Sequence, residues 1–234
     1  MSEWKAKRFW TEVQTVETDT GYAIHLDGRP VRSPAKTLVN VPSLGLAEMI
    51  ADEWRSQGEL IDPNSMPAMR IANSALDKVT PQFTEVADML AAYGESDLLC
   101  YRADGPAELV DRQAAAWDPV LAWAAEKYNA PLSTGQGVMF IAQPEQSLQA
   151  LAAQVHALSP FQLAPFHDLV ALTGSLVLAL AASQAYAEAS EIWNLSRIDE
   201  DWQIEQWGED EEATALAERK KAEFQLAYRV YHLI

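Results

Sequence analysis

The chain has 234 residues, 49% of them hydrophobic, and seventeen Lys and Arg against thirty-four Asp and Glu, for a net charge of −17. A chain of this size buries roughly 70% of its unfolded surface, so no disulfide or metal is needed to hold it, and one large domain or two modest ones fit the length. The negative field disfavours nucleic acid and anionic lipid and favours a basic protein partner.

The acidic excess is uneven. Residues 1–36 carry six basic and five acidic side chains, whereas the remaining 198 carry eleven and twenty-nine. Cys100, in LLCY, is the only cysteine, which excludes an internal disulfide, suits a reducing compartment and reads as a buried structural thiol. The opening MSEWKAKRFW has neither an apolar signal core nor an Arg/Ser-rich presequence. The longest apolar run, LVALTGSLVLALAA at 169–182, is too short for a membrane span and suits a central buried helix. A soluble, cytosolic protein that does not insert into a membrane is expected.

The first forty residues read as β structure. In GYAIHLDGRPVRSP, Asp27-Gly28 lies between two extended runs, a hairpin signal in which Gly accepts a positive φ. Pro30, Pro34 and Pro42 keep the strands short or at edges, and TLVNV at 37–41 is a third strand. From Ser43 the period becomes helical: Leu46, Ile50 and Trp54 recur every four residues up to Gly58. Ser65-Met66-Pro67 reads as a helix start capped by Ser65, with Met69, Ala72, Leu76 and Val79 on the buried face. Helical segments follow near 83–101, 107–128, 145–157 and 161–183, then a pair near 186–207 and 210–233. VMFI at 138–141 reads as a strand joining the N-terminal sheet. The expected architecture is α+β: a small β-rich N-terminal domain over 1–60, then a larger, mainly helical domain over 61–234.

Motifs for small-molecule chemistry are missing. Gly135 and Gly137 lack the third glycine of a nucleotide loop, and no Walker loop, nucleophile elbow or paired-cysteine spacing occurs. His25, His156, His167 and His232 are scattered, and none stands in a metal-binding spacing. The exception in character is RIDEDWQIEQWGEDEE at 197–212, which holds eight carboxylates in the fourteen residues after Ile198 and two tryptophans. At 100° per residue, Trp193, Glu200, Ile204 and Trp207 share one arc of a helix, which places Glu200 in an apolar stripe. Ile198, Trp202 and Glu205 take the opposite side. Glu200 and Glu211 stand roughly 16 Å apart on a continuous helix, beyond the roughly 5–9.5 Å of a hydrolytic carboxylate pair. Asp201 and Glu205 are i,i+4 neighbours able to chelate a divalent cation only with ligands from elsewhere. Glu209 to Glu212 follow Gly208 and suit the first turn of the last helix, where the dipole favours acids. Glu200 needs a cation, either internal, from Arg197 or Arg102, or on another protein.

The same residues carry a family likeness. RFW at 8–10, GYAIHLDGRPVRSPAK at 21–36, ADEWRSQGELIDPNSMPAMRIANSALDKV at 51–79, SDLLCYRA at 96–103, WDPVLAWA at 117–124, LTGSLVLALA at 172–181 and the acidic segment together resemble the F-type ATP synthase assembly-chaperone family. That family handles the alpha subunit of the catalytic head. The likeness is nearest to its α-proteobacterial branch, whose eukaryotic relatives work in the mitochondrial matrix. It implies a non-enzymatic chaperone that binds the free, unassembled alpha subunit, prevents its aggregation and uses no cofactor. The family pattern of an acid cluster, an aromatic, Gln-Ile, Trp-Gly and an acid falls here on Asp199 to Asp201, Trp202, Gln203-Ile204, Trp207-Gly208 and Glu211. The His-Asp pair that some eukaryotic relatives place after the last acid is replaced by a continuation beginning Glu212-Ala213. The partner-binding residues expected are Glu200, Asp201, Trp202, Glu205, Trp207 and Glu211. The competing readings are a metal-dependent hydrolase built on Asp201, Glu205 and a distant His, and a generic acidic adaptor.

Overall fold

The computed structural model describes residues 7–234; the segment before Lys7, on which part of the reading of the opening residues falls, lies outside it. The architecture is α+β, and the residues divide into two compact units. One comprises the described residues through Phe83 with Ser159–Pro165 and Arg229–Ile234; the other comprises Thr84–Leu158 and Phe166–Tyr228.

The first unit is built on a short sheet. Val13–Thr18 (β1) and Gly21–Leu26 (β2) pair antiparallel, with Val13 opposite Leu26. β2 turns through Asp27 (φ 48°) and Gly28 (φ 77°) into Arg29–Pro30 (β3), and two successive positive φ values are the type I′ geometry that the Asp-Gly pair predicts. The Asp27 carboxylate then accepts the backbone N–H of Glu12 at 2.8 Å and of Thr11 at 3.0 Å, which holds its pKa below the ordinary value. The expected strand over 37–41 is shorter than the sequence suggests: only Asn40–Val41 (β4) pairs with β2. Ser33 N–H donates to Thr37 O and Lys36 adopts φ 68°, so the chain turns tightly before it can extend.

Leu44–Arg55 (α1) packs Leu46, Ala47, Ile50 and Ala51 against this sheet, capped by the Ser43 hydroxyl on Leu46 N–H. Trp54 meets Trp10 edge to face at 5.0 Å between ring centres. Pro67–Ser74 (α2) is not capped by Ser65. That hydroxyl donates to Asp62 O in the preceding turn, while the Glu53 carboxylate accepts Ala68 N–H at 2.7 Å and Met69 N–H at 2.8 Å. A carboxylate satisfies two orphan donors at once and suits the positive end of the helix.

The rest of the chain is mainly helical and makes up the second unit, apart from Ser159–Pro165 and Arg229–Ile234, which belong to the first. Phe83–Ala91 (α3) begins at the last residue of the first unit, and short 3₁₀ turns lead from it to Tyr101–Arg102 (β5). Ala107–Tyr128 (α4) follows, then Gly135–Gln136 (β6) parallel to β5, and Glu145–His156 (α5). VMFI at 138–141 is therefore not a strand of the N-terminal sheet: β6 precedes it and pairs with β5 instead. The run expected to be helical over 161–183 divides into Pro160–Thr173 (α6) and Leu176–Ser183 (α7) at Gly174, φ 67°. Every residue of α7 is buried. The break is supported by Asp97, fully buried, which accepts the Ser175 hydroxyl at 2.7 Å, Val177 N–H at 2.9 Å and Leu99 N–H at 3.0 Å. Ala189–Leu195 (α8), Ile198–Trp207 (α9) and Glu211–His232 (α10) complete the chain. Among the described residues no helix is long and apolar enough to cross a membrane.

Candidate partner-binding site

The acidic segment does not continue from the helix before it. α8 stops at Leu195, where Ser196 N–H donates to Trp193 O and Arg197 N–H to Asn194 O, and Arg197 leaves helical geometry at φ −109°, ψ 4°. The projection that set Trp193 on one face with Glu200 and Trp207 therefore fails. Trp193 is buried against Phe224, 5.8 Å between ring centres, and Glu200 is half exposed on a separate helix. The cation it needs is Arg197, at 3.1 Å; Arg102 instead donates to Asp118 at 2.7 Å and stacks on Trp117.

α9 is held from below by α4. Trp117 Nε1 donates to Leu195 O at 2.7 Å, fixing the approach to α9. Gln113, 1% exposed, donates to Asp199 Oδ1 at 2.6 Å. Arg112 grips Glu205 with two hydrogen bonds of 2.8 Å, and its guanidinium lies over the Trp202 ring at 4.9 Å. This fork-to-fork geometry fixes the direction of the helix as well as neutralising one carboxylate. The guanidinium holds the Glu205 carboxyl below the ordinary value. Partial desolvation pushes Asp201 upward, against the pull of Arg197.

The outer side of this frame is acidic and aromatic. Trp202 is half buried under Arg112, whereas Trp207, in the last turn, is 78% exposed. Gly208, at φ 90° and ψ 171°, ends α9 with its N–H on Ile204 O; a side chain is disfavoured in that conformation. Asp210 then caps α10 by accepting Ala213 N–H at 2.8 Å, and Glu211 and Glu212 occupy the first turn. This is the dipole chemistry expected for the acids after Gly208. Glu200, Asp201, Glu205 and Glu211 are all exposed. Among the described residues no group of three or more His, Cys, Asp or Glu is placed to hold a metal ion, and Glu205, which the hydrolase reading needs, has both oxygens on Arg112.

Arg112 and Gln113 did not stand out in the sequence. Arg112 lies 93 residues from Glu205 with no local pattern to mark it; Gln113 lies 86 residues from Asp199, and its place on the buried stripe of α4 with Trp117, Val120 and Ala124 was the signal available for it. The remaining signal was the charge excess of α9, which requires cations from somewhere.

Comparison with known proteins agrees with this architecture. The family model described as ATP12 chaperone protein matches residues 7–125. The crystal structure of Atp12 from Paracoccus denitrificans has a TM-score of 0.95 at 48% identity over 99% of both chains, and an aspartate-to-lysine mutant of that protein gives 0.96. The mitochondrial atp12 protein of Schizosaccharomyces pombe is 24% identical over 221 residues, 88% of this chain and 75% of that protein. These matches define an assembly chaperone of ATP synthase, not an enzyme. The chain belongs to the ATP12 chaperone family, and the likeness drawn from its sequence holds at that level.

Proposed function

We propose that this protein binds the free alpha subunit of F-type ATP synthase in the cytosol, keeps it from aggregating and releases it to the assembling catalytic head. Glu200, Asp201, Trp202, Glu205, Trp207 and Glu211 form the contact surface. The observation that carries this reading is Trp207: an indole 78% exposed among carboxylates, on a helix whose base is clamped to α4. A solvated acidic face has no use for an exposed indole, and a core tryptophan would be buried, as Trp193 is. Indoles give large, fairly rigid contact area, and carboxylates select and steer a basic surface. Free alpha offers both, an apolar subunit interface and basic residues that later face nucleotide and its neighbour.

The test is aggregation of refolding alpha or beta subunit, followed by light scattering with and without this protein. Suppression for alpha and not for beta is expected. Equal suppression of both would favour a generic acidic adaptor, and suppression of neither would refute the proposal.

A further inference from the structure

The loop after β6 carries an apolar cluster that the acidic helix does not explain. Val138, Met139 and Phe140 are consecutive and 96%, 77% and 71% exposed. Water disfavours such surface, and contiguous exposed apolar groups mark contact sites.

The cluster is mounted firmly on both sides. Before it, β6 pairs with β5 and Gly137 N–H donates to Arg102 O at 2.8 Å. After it, the Ile141 side chain folds over Gly135, where an added β-carbon would lie 2.7 Å from its Cδ1. The Gln143 amide spans the base, accepting Ser133 N–H at 2.8 Å and donating to Ser133 O at 3.0 Å. A loop closed this way presents its tip with little ordering entropy left to lose on binding. The mount also connects to the acidic helix. Gln113, whose Nε2 holds Asp199, accepts Ala103 N–H at 2.8 Å through its other amide atom, immediately after β5. One buried side chain thus braces both the strand pair that carries the tip and the helix that carries the acids.

We propose that Val138, Met139 and Phe140 form a second, apolar contact that enters a groove on the unassembled alpha subunit. This rests on the functional reading above. Charge selects this occupant: a chain of net charge −17 repels a second copy of itself and an anionic bilayer alike, whereas it attracts a basic-rimmed protein surface. The division of labour is physical. The acids act at long range and set encounter and register, and the tip supplies dehydrated contact area and slows release.

The test is a triple variant, Val138→Ser/Met139→Ser/Phe140→Ser, in the full chain, assayed by co-expression capture of alpha with a melting curve alongside. Since all three side chains are exposed, the melting temperature is expected to stay at the wild-type value while captured alpha falls about tenfold or more. Phe140→Ser alone is expected to give a smaller loss in the same direction. Undiminished capture by the triple variant would overturn the tip contact while leaving the acidic site standing. No capture by the wild-type chain would overturn the functional reading itself. Sedimentation velocity and flotation with anionic phospholipid vesicles complete the test. Loss of self-association or of vesicle binding in the triple variant, with alpha capture intact, would assign the tip to another occupant and overturn the proposal.

Discussion

Three side chains of the second unit, outside the candidate site, owe their ionisation chemistry to where they are held. Asp97 is buried with a hydrogen-bond donor on each oxygen. Asp97→Asn keeps the shape but turns one acceptor into an NH₂ that faces either the Ser175 hydroxyl or Val177 N–H. A loss of about 2–4 kcal/mol on chemical denaturation is expected, because buried polar groups are left unsatisfied. Cys100 beside it is fully buried; burial, reinforced by the Asp97 charge, pushes its thiol up to about 12. Ellman's reagent is therefore expected to label it only on unfolding, and rapid labelling of the native protein would contradict the structure. His167 hydrogen-bonds Asp168 at 3.0 Å, which raises its pKa. The folded state then holds that proton more tightly than the unfolded one. The resulting stabilisation is complete below the ordinary histidine value of about 6.5 and is lost as pH rises through the folded value. An NMR titration should place the His167 midpoint above 6.5, and Asp168→Asn should return it toward 6.5. Residue chemistry of this kind is legible in sequence only when partners are close along the chain. The Arg197–Glu200 pair, three residues apart, was within reach of sequence reasoning; the Arg112–Glu205 pair was not.

At the scale of elements, the sequence showed which segments are helical better than where they break. α4 runs over the span that its periodicity predicts, and α10 differs by a residue at each end. The breaks at Gly174 and at Ser196-Arg197 were missed because hydrophobic periodicity carries across both, while the stops depend on Asp97 and on local backbone bonds. The second break matters most for the site. It leaves Trp193 in the core and frees α9 to present Trp207, separating two indoles that a continuous helix places on one face. Gly208 fixes the opposite end of α9. Gly208→Ala places a β-carbon on a backbone at φ 90°, ψ 171°, at a cost of about 1–3 kcal/mol or a shift of α9 against α10. Reduced alpha capture is expected, with faster amide exchange confined to the last turn of α9 and the first of α10. Exchange spread through the buried α7 would contradict a local role.

At the scale of the molecule, the proposed contact divides the work between charge and apolar surface. The net charge of −17 is concentrated beyond residue 36, and α9 and the start of α10 form its densest part, supported by α4. Electrostatic attraction of this kind is screened over about 10 Å at 0.1 M salt and about 3 Å at 1 M. Capture of alpha is therefore expected to slow with rising salt mainly through the association rate, as stopped-flow tryptophan fluorescence, compared between the wild type and Trp207→Phe, can follow. Glu200→Lys is the sharpest test that the exposed face of α9 contacts the unassembled alpha subunit. Glu200 is half exposed and, among the described residues, its ion pair is with Arg197 in its own segment, so its reversal should leave the fold intact. Co-expression with alpha, followed by pull-down and a melting curve, is the measurement. Loss of captured alpha is expected from a variant that melts as the wild type does; normal capture by that normally folded variant would refute the contact.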